Sequence, residues 1–529
     1  MDSIDLGQSE QSSVYLKIAR SLRDRIERGE FGQSGRLPTT RDLCRRLGVN
    51  RNTIVAAYRK LEEWGMARPH VGRGTFAIPA ADRVRAAAPE QMPSPLPAGE
   101  ERSSVTARSS ASPAGTSAPW TGVFSRALEG RAIANLAATY TVDAAAGSIS
   151  FAGSFPAPDL MPVDAFRRSM IKALKREPLR AFSYGAAQGH PALRHWIADE
   201  MTRSGMPTTA EEILVTNGSQ QAIDLIARAF TDPGDLVLLE NPTYSGAISV
   251  FQSYGARLAA LPLDEEGVLP GSVSGPASRG GGKLLYVTPS FQNPTSAVMS
   301  EQRRRDLLQA AADANLLVVE DDWAFGLRFE DPGPASLRSL SRDGRVIYLS
   351  TFAKKSLPGL RVGWIAAARP VIEKLSALKQ INDCCTSPLV QASLAEFCRS
   401  GALASHLPRV REAYRIRRDR MITAIQRWFP KDAVFTRPPG GLFLWVRVPE
   451  EIDLAGAIVD AERRGVLVSR GELFHVDGGG RNTMRLTFAS SRPEDIDEGI
   501  RILGAAMKKH IASGSRRAGA SEREVLPLV

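Results

Sequence analysis

The first 80 residues alternate apolar and polar positions in a helix, helix, turn, helix, hairpin order. Apolar side chains recur every four residues over 14–26 and predict an amphipathic helix. Thr39 with Asp42 resembles a capping box at the start of a second helix, and Asn50 is a favourable N-cap for a third. Short extended segments on both sides of the turn at 72–74 complete the layout. This order predicts a winged helix-turn-helix module.

The pattern disappears over residues 81–119, where Ala, Pro, Ser and Gly dominate and Ile, Phe, Tyr and Trp do not occur. Such a segment cannot bury enough apolar surface to offset the entropy lost on ordering. The sequence therefore predicts an N-terminal domain, a flexible linker, a large C-terminal domain with a small subdomain at its end, and a disordered tail. The predicted bounds are 13–78, 79–120, 121–512 (subdomain about 400–512) and 513–529.

The large C-terminal domain contains short apolar runs separated by helical patterns. Continuous apolar strands joined by helices are typical of an open, mostly parallel sheet. The sequence therefore predicts an α/β fold here, with flanking helices. The predicted strands are 213–216, 236–240, 284–288, 316–320 and 346–350.

Composition narrows the class of protein. The chain has 68 Lys and Arg against 57 Asp and Glu, and its net charge of +11 permits a polyanionic partner without proving one. Its four cysteines form no CxxC pair, which predicts reduced thiols in a cytoplasmic protein and no metal site. Because no run of about 18 apolar residues occurs, no membrane span is expected.

Six polar side chains of the N-terminal module lie off its apolar stripe and suit contacts with DNA. Three begin the third helix, where a recognition helix reaches base edges. Two others suit phosphates, and one at the hairpin turn suits a minor groove. A helical dimerisation module with a solvated basic face is the alternative. The six are Arg51, Asn52 and Thr53, then Arg36 and Arg41, then Arg73.

Three blocks within residues 13–78 resemble the GntR-type DNA-binding domain. They are RLPTTRDL, LGVNRNTIVAAYRKLEEWG and GRGTF, and they occur in the family's order. The resemblance implies a double-stranded DNA operator as partner, and it favours DNA binding over the dimerisation module.

Polar side chains also follow the predicted strands of the large domain. The carboxyl ends of parallel strands meet at one edge, where ligands bind. Pyridoxal phosphate needs a lysine for its aldehyde, a carboxylate for its ring nitrogen, an arginine for its phosphate and an aromatic ring against its face. Each residue alone has a structural explanation, but together they predict this cofactor. The residues are Gly218, Ser219, Gln220, Tyr244, Asn293, Asp321, Asp322, Lys354, Lys355 and Arg361.

Residues 150–510 resemble fold-type I pyridoxal-phosphate enzymes of the aspartate aminotransferase superfamily, most closely the kynurenine and 2-aminoadipate aminotransferases. With the GntR-like module in front, the whole chain resembles MocR/GabR-type transcription regulators. The segment TFAKKSLPGLR resembles the family's TFSK…PGLR. The resemblance implies that Lys354 forms the Schiff base and that Arg361 binds the phosphate. It also implies that Asp321, rather than Asp322, holds the ring nitrogen.

The same resemblance implies the remaining roles. GSQQ matches the phosphate-binding turn, which contains Gly218, Ser219 and Gln220. PTYSG gives the stacking Tyr244, QNPT gives Asn293 for the phenolic oxygen, and TMRLTFA gives Arg485 for a substrate α-carboxylate, with a structural salt bridge as its alternative. FSYGAAQGHPALR gives Tyr184, which in the family reaches the phosphate of the neighbouring subunit. A homodimer with shared sites is therefore expected.

Four positions depart from the family pattern. Trp323 replaces a tyrosine and has no hydroxyl to share with the phenolic oxygen, so that Asn293 serves it alone. Ser296 replaces a glycine and Phe291 a histidine. Gly246 stands where the GABA-responsive regulator has an arginine, which argues against a GABA-type effector.

Two functions remain open at this stage. In the first, the chain is a regulator, and an amino-acid or amine effector is sensed by aldimine exchange at Lys354. In the second, the chain is an active aminotransferase with a fused DNA-binding module, and Lys354 is also its general acid and base. The fused module favours the regulator, while the intact set of site residues keeps catalysis open.

Overall fold

The computed structural model describes residues 14–28, 30–31, 37–64, 66–70, 74–78, 147–330, 333–341 and 343–511. Internal contacts divide the chain into two compact units, residues 1–116 and 117–529. The predicted linker and tail lie outside the described residues. Within the described part, no helix has the length and apolarity needed to cross a membrane.

The N-terminal unit contains the helices and hairpin that its pattern predicts. Apolar side chains from the first and third helices form its core, and Ile18, Leu22, Ile54 and Leu61 are fully buried. Thr39 caps the second helix by accepting a hydrogen bond from the backbone N–H of Asp42 at 3.2 Å. The elements are α1 (Val14–Glu27), α2 (Thr40–Leu47), α3 (Arg51–Glu63) and the antiparallel strands β1 (Ala67–His70) and β2 (Gly74–Ala77).

A central sheet of eight strands forms the body of the second unit, as the described residues show it. From one edge of the sheet to the other, its strands begin at residues 213, 363, 346, 317, 282, 236, 257 and 267. All five predicted strands are present, and their ends differ from the prediction by at most two residues. The strands are β4 (Ile213–Thr216), β5 (Leu236–Asn241), β6 (Arg257–Asp264), β7 (Gly267–Val268), β8 (Gly282–Val287), β9 (Leu317–Asp322), β10 (Val346–Thr351) and β11 (Gly363–Ala366).

The pairing directions decide where ligand-binding side chains collect. Strands β6, β5, β8, β9 and β10 are mutually parallel. Strand β11 is antiparallel both to β10 and to β4, so β4 runs in the same direction as β10. The carboxyl ends of β4, β5, β8, β9 and β10 therefore lie at one edge of the sheet, as the sequence predicts. Only β7 and β11 run the opposite way.

Helices cover the sheet because its strands are apolar on both faces. Buried side chains of the sheet pack against helices on each side, and β4 is buried at all four positions. The helices of this part are α4 (Val163–Arg176), α5 (Pro178–Ala181), α6 (Pro191–Arg203), α7 (Ser219–Phe230), α8 (Ser245–Ser253), α9 (Ser274–Gly280), α10 (Glu301–Asp313), α11 (Leu337–Leu340), α12 (Arg369–Asp383) and α13 (Pro388–Arg399).

The last part of the chain builds a second, smaller sheet with its own apolar core. Its four antiparallel strands begin, in spatial order, at residues 434, 443, 483 and 469, while the short strand β3 (Ile149–Ser150) pairs in parallel with the strand that begins at residue 466. The elements are α14 (Ala402–Trp428), β12 (Val434–Phe435), β13 (Phe443–Arg447), α15 (Leu454–Arg463), β14 (Val466–Leu467), β15 (Ser469–Arg470), β16 (Thr483–Thr487) and α16 (Pro493–Lys509).

Candidate functional site

The two adjacent lysines after β10 have different surroundings. Lys354 Nζ donates a hydrogen bond to the backbone carbonyl of Ser154 at 2.8 Å, and it lies close to Asp321 and two arginines. Lys355 Nζ instead donates to the carbonyl of Phe325 at 3.2 Å. It lies 4.6 to 5.3 Å from the ring centroids of three aromatic side chains, Phe325, Phe352 and Trp364. Lys354 is therefore the lysine at the candidate site.

Its surroundings favour the neutral amine. Burial lowers the pKa of Lys354 from 10.5 to about 8, and the positive charges of Arg485 and Arg361 act in the same direction. The carboxylate of Asp321 opposes them. A lysine with a lowered pKa can act as a nucleophile toward a carbonyl near neutral pH.

Asp321 is a buried carboxylate with one oxygen left over. The phenolic O–H of Tyr286 donates to its Oδ2 at 2.5 Å, while its buried Oδ1 has no hydrogen-bond partner among the described residues. The pKa of Asp321 is raised to about 7, chiefly by burial and also by the charge of Asp322, while hydrogen bonds from Tyr286 and the Trp323 backbone and the charge of Lys354 act in the opposite direction. An unpartnered buried oxygen is costly unless a ligand donates to it. Asp322 accepts from Tyr348 at 2.8 Å instead.

The turn between β4 and α7 lies against Arg361. Gly218 has a φ of 81°, in the left-handed region, and a Cβ at this position would lie 2.6 Å from a terminal nitrogen of Arg361. Among the described residues no side chain caps α7, so the first N–H groups of this helix, which begins at Ser219, are available to an anion. The turn and the guanidinium together suit a phosphate group.

Tyr244 is tied to this turn by hydrogen bonds. Its hydroxyl donates to Gln220 Oε1 at 3.0 Å, and Gln220 Nε2 donates to the carbonyl of Gly246 at 3.2 Å. A Cβ at Gly246 would lie 2.5 Å from the Tyr244 ring. Glycine at 246 therefore allows the close approach of the ring, which the sequence analysis did not foresee.

Arg485 and Asn293 are joined by a hydrogen bond. Arg485 Nη1 donates to Asn293 Oδ1 at 2.9 Å, and Nη2 donates to the carbonyl of Gly153 at 2.9 Å. The guanidinium carbon lies 4.9 Å from the ring centroid of Phe443 and 4.7 Å from that of Phe474. This arginine is only 3% exposed, and a charge held in such a position suits a carboxylate ligand.

Trp323 and Ser296, two of the departures, each donate a hydrogen bond to a backbone carbonyl. The Trp323 indole N–H donates to the carbonyl of Phe291 at 3.0 Å, and its ring stacks on Phe443 with 5.1 Å between centroids. Ser296 adopts a φ of 62° and donates to the carbonyl of Phe443 at 2.8 Å. Both residues therefore fasten the segment that contains Asn293 to the smaller sheet.

Sequence reasoning missed several contributors to the site. Tyr286, whose hydroxyl donates to Asp321, lies within β8. Its neighbours in the strand are apolar and give no sign that the hydroxyl reaches the site. The carbonyls of Ser154 and Gly153 come from a segment 200 and 332 residues away from their partners. A polar tip on a fully buried strand residue was the available signal for Tyr286.

The remaining predicted residues are Tyr184 and the six candidate DNA contacts of the N-terminal unit. Tyr184 is 91% exposed in the single chain. Thr53, partly buried, donates its backbone N–H to the carbonyl of Asn50 in the first turn of α3. The other five predicted DNA contacts lie outside the described residues, either entirely (Arg36, Arg73) or in their side chains (Arg41, Arg51, Asn52).

Comparisons with known proteins find relatives for both units. Residues 157–503 match the family of class I and II aminotransferases, and residues 14–77 match the gntR family of bacterial regulatory proteins. An uncharacterised HTH-type transcriptional regulator of Bacillus subtilis, YisV, is 31% identical over 94% of this chain and 97% of its own. MocR of Rhizobium meliloti, a probable rhizopine catabolism regulatory protein, is 28% identical over 95% of both chains.

Solved structures resemble the second unit. The α-aminoadipate aminotransferase LysN of Thermus thermophilus, crystallised with N-(5'-phosphopyridoxyl)-L-leucine, is 35% identical to this chain. It aligns with a TM-score of 0.68 over 74% of this chain and 99% of its own.

Proposed function

Because the chain belongs to the class I and II aminotransferase family and has a gntR-family domain ahead of it, we propose that it is a MocR-type transcription regulator that senses an amino compound at Lys354. The observation that carries the proposal is the fusion itself. A DNA-binding domain and a site with the cofactor-binding side chains share one chain, and relatives aligned over 94% and 95% of it are regulators by name.

The chain depends on pyridoxal phosphate, as does its family. The buried, unpartnered Oδ1 of Asp321 supports the fit, because a protonated ring nitrogen would satisfy it. The turn at Gly218, Ser219 and Gln220 would hold the phosphate with Arg361, and Tyr244 would cover the ring. The cofactor supplies an aldehyde that condenses with amines and a ring that withdraws electrons.

The residues of the chain divide the remaining work. Lys354, with a pKa near 8, presents an amine that is partly neutral at physiological pH. Arg485 would bind an α-carboxylate of the effector, and Asn293, which accepts a hydrogen bond from Arg485, would donate its amide to the phenolic oxygen of the cofactor. An incoming amine would compete with Lys354 for the aldehyde that the cofactor supplies. An α-amino acid therefore matches the site better than an amine without a carboxylate.

DNA binding belongs to the N-terminal unit. The recognition helix of this layout is α3, which begins with Arg51, Asn52 and Thr53. These three residues would contact base edges in the major groove. Arg36 and Arg41 contact phosphates, and Arg73 enters a minor groove. Both the basic composition and the family match support a double-stranded operator.

A homodimer completes the proposed site. Tyr184 is a large aromatic side chain that is 91% exposed in the single chain. Its position supports a role at a subunit surface, where its hydroxyl contacts the cofactor phosphate of the partner. A monomeric protein that binds the cofactor as tightly as the parent after Tyr184→Phe would contradict this part of the proposal.

An active aminotransferase is the second candidate. The 35% identity with LysN over nearly the whole of that enzyme favours it, as does the presence of Lys354, Asp321, Asn293 and Arg485 together. In this case Lys354 would move a proton between the substrate and the cofactor.

An absorbance titration distinguishes the two candidates. The full chain, loaded with cofactor, is mixed with each of a panel of amino acids, with and without a 2-oxo acid. A spectral change without release of a new 2-oxo acid supports the sensor, and repeated turnover supports the enzyme. Lys354→Ala is the control, and after borohydride reduction the cofactor mass should be found on Lys354 in the parent only. A reduced adduct on another lysine would refute the assignment.

DNA binding is tested with the intergenic region upstream of the gene. Gel shifts at several salt concentrations should show affinity that falls steeply as salt rises, because phosphate contacts release counterions. Arg51→Ala should weaken binding to this region more than binding to unrelated DNA. Equal loss on both would make Arg51 a phosphate contact, and no loss would refute the recognition-helix assignment.

A further inference from the structure

An ion pair with a buried lysine contacts the turn between β4 and α7. Lys379 and Asp383 are one helical turn apart at the end of α12, and Lys379 Nζ donates to both carboxylate oxygens of Asp383 at 2.7 Å. The Lys379 side chain is fully buried. A buried ammonium is costly unless its partners are complete, so this pair needs a structural or functional reason.

The reason lies in what else the pair binds. Asp383 Oδ2 also accepts from Asn217 Nδ2 and, at 2.7 Å, from Gln221 Nε2. Gln221 Oε1 accepts from Lys379 Nζ at 3.2 Å and from the backbone N–H of Asn217 at 2.8 Å. We call these four residues the clamp: Asn217, Gln221, Lys379 and Asp383.

The clamp encloses the turn on both sides. Asn217 immediately precedes Gly218, and Gln221 follows Gln220, so the two anchored residues bracket the three residues assigned to the phosphate. Gly218 has a φ of 81°, a backbone conformation that glycine adopts at little cost. Gly363 of β11 packs on it so closely that a Cβ there would lie 2.8 Å from the Gly218 carbonyl carbon.

None of the clamp side chains is assigned to the cofactor. Burial lowers the pKa of Lys379, and the hydrogen bond that Lys379 donates to Asp383 opposes that change. The ion pair therefore strengthens the hydrogen bonds that Asn217 and Gln221 make with it, because hydrogen bonds to a charged group are stronger than those to a neutral group.

We propose that Asp383 and Lys379 are positioning residues that hold residues 217–221 in the conformation that receives the phosphate of the cofactor. This inference rests on the proposed function, since it assumes that the phosphate lies on the turn. Backbone N–H groups bind an anion well only when they are fixed before it arrives.

The experiment compares two probes that differ only in the phosphate. Equilibrium affinities of pyridoxal 5'-phosphate and of pyridoxal are measured for the full chain freed of cofactor. Asp383→Asn and Asn217→Ala should lower the affinity for pyridoxal 5'-phosphate by about tenfold, because hydrogen bonds to a charged group are misaligned. The affinity for pyridoxal should stay within about twofold of the parent, because Lys354 and Asp321 are untouched.

A matched control breaks an ion pair elsewhere. Asp264→Asn removes the partner of Arg303, whose Nη2 lies 2.7 Å from Asp264 Oδ2, near the sheet edge opposite β4. It should leave both affinities unchanged. The ratio of the two affinities, for pyridoxal 5'-phosphate and for pyridoxal, does not depend on the fraction of protein that is folded. If Asp383→Asn folds poorly, Asn217→Ala provides the test.

The possible failures are distinguishable. If the parent prefers pyridoxal 5'-phosphate but both clamp variants keep that preference in full, the clamp is only structural and this inference is wrong. If the parent itself does not distinguish the two probes, the phosphate assignment of the proposed function is wrong, and the clamp proposal falls with it.

Discussion

The lowered pKa of Lys354 increases the fraction of neutral, nucleophilic amine at neutral pH. At pH 7, an amine with the ordinary pKa of 10.5 is neutral in about one molecule in 3,000, whereas a pKa of about 8 makes it neutral in about one in ten. The surroundings therefore raise the amount of nucleophilic amine about 300-fold. Burial is the main cause, and the charges of Arg485 and Arg361 come next.

Two substitutions should move this pKa in opposite directions. Arg485→Met removes a nearby positive charge, so the ammonium becomes easier to form and the pKa of Lys354 should rise. Asp321→Asn removes the negative charge that favours the ammonium, so the pKa should fall. In both variants burial still keeps the pKa below that of an exposed lysine.

Competitive labelling with acetic anhydride measures the change. The cofactor-free chain is labelled between pH 6 and 11, and the acetylation of Lys354 is quantified by mass spectrometry against the exposed Lys431. Arg411→Met is the internal control, because Arg411 lowers the pKa of Lys355 and is not among the causes for Lys354. A midpoint near 10.5 in the parent, or a shift of both variants in one direction, would refute the reasoning.

A buried carboxyl group, a buried phenol and a helix cap should each respond to substitution. Burial raises the pKa of Glu240 to about 8, so the folded chain holds this proton more tightly than the unfolded chain does. The free energy of unfolding of the cofactor-free chain should therefore fall by a few kcal/mol as the pH rises from about 4.5 to about 8. Urea denaturation should show a smaller fall in Glu240→Gln, and an equal fall would contradict the assignment. Tyr286→Phe removes the donor to Asp321 and should weaken cofactor binding about tenfold in equilibrium dialysis. Thr39→Ala removes the cap of α2 and should destabilise the N-terminal unit by about 1 kcal/mol in calorimetry without changing cofactor binding.

Much of the fold could be predicted because its strands are short and apolar. The edge where ligand-binding side chains collect followed from strand direction alone, and the structure confirms it for β4, β5, β8, β9 and β10. The capped second helix was equally visible, because Thr39 and Asp42 interact within one turn. Local signals of this kind do not depend on the rest of the chain.

The remaining features depend on contacts between distant segments. Strand β11 is four residues long and resembles any small apolar run, yet it separates β4 from β10. Motif resemblance alone chose between Lys354 and Lys355, and only the three rings around Lys355 give the physical reason. The Lys379–Asp383 pair has the spacing of an ordinary surface ion pair on a helix, so its burial could not be foreseen.

The same two arginines link ligand binding to the protonation of the lysine. Arg361 and Arg485 both lower the pKa of Lys354, and both are suited to bind anionic groups of a ligand. An anion that neutralises either of them removes part of the repulsion on the ammonium, so the pKa of Lys354 rises when the site fills. In the cofactor-free chain, where Lys354 is a free amine, we therefore expect binding of a carboxylate at Arg485 to be accompanied by proton uptake at Lys354 Nζ near pH 8. A neutral amine without a carboxylate would lack this coupling, and for that reason the site should distinguish an amino acid from a simple amine by charge as well as by shape.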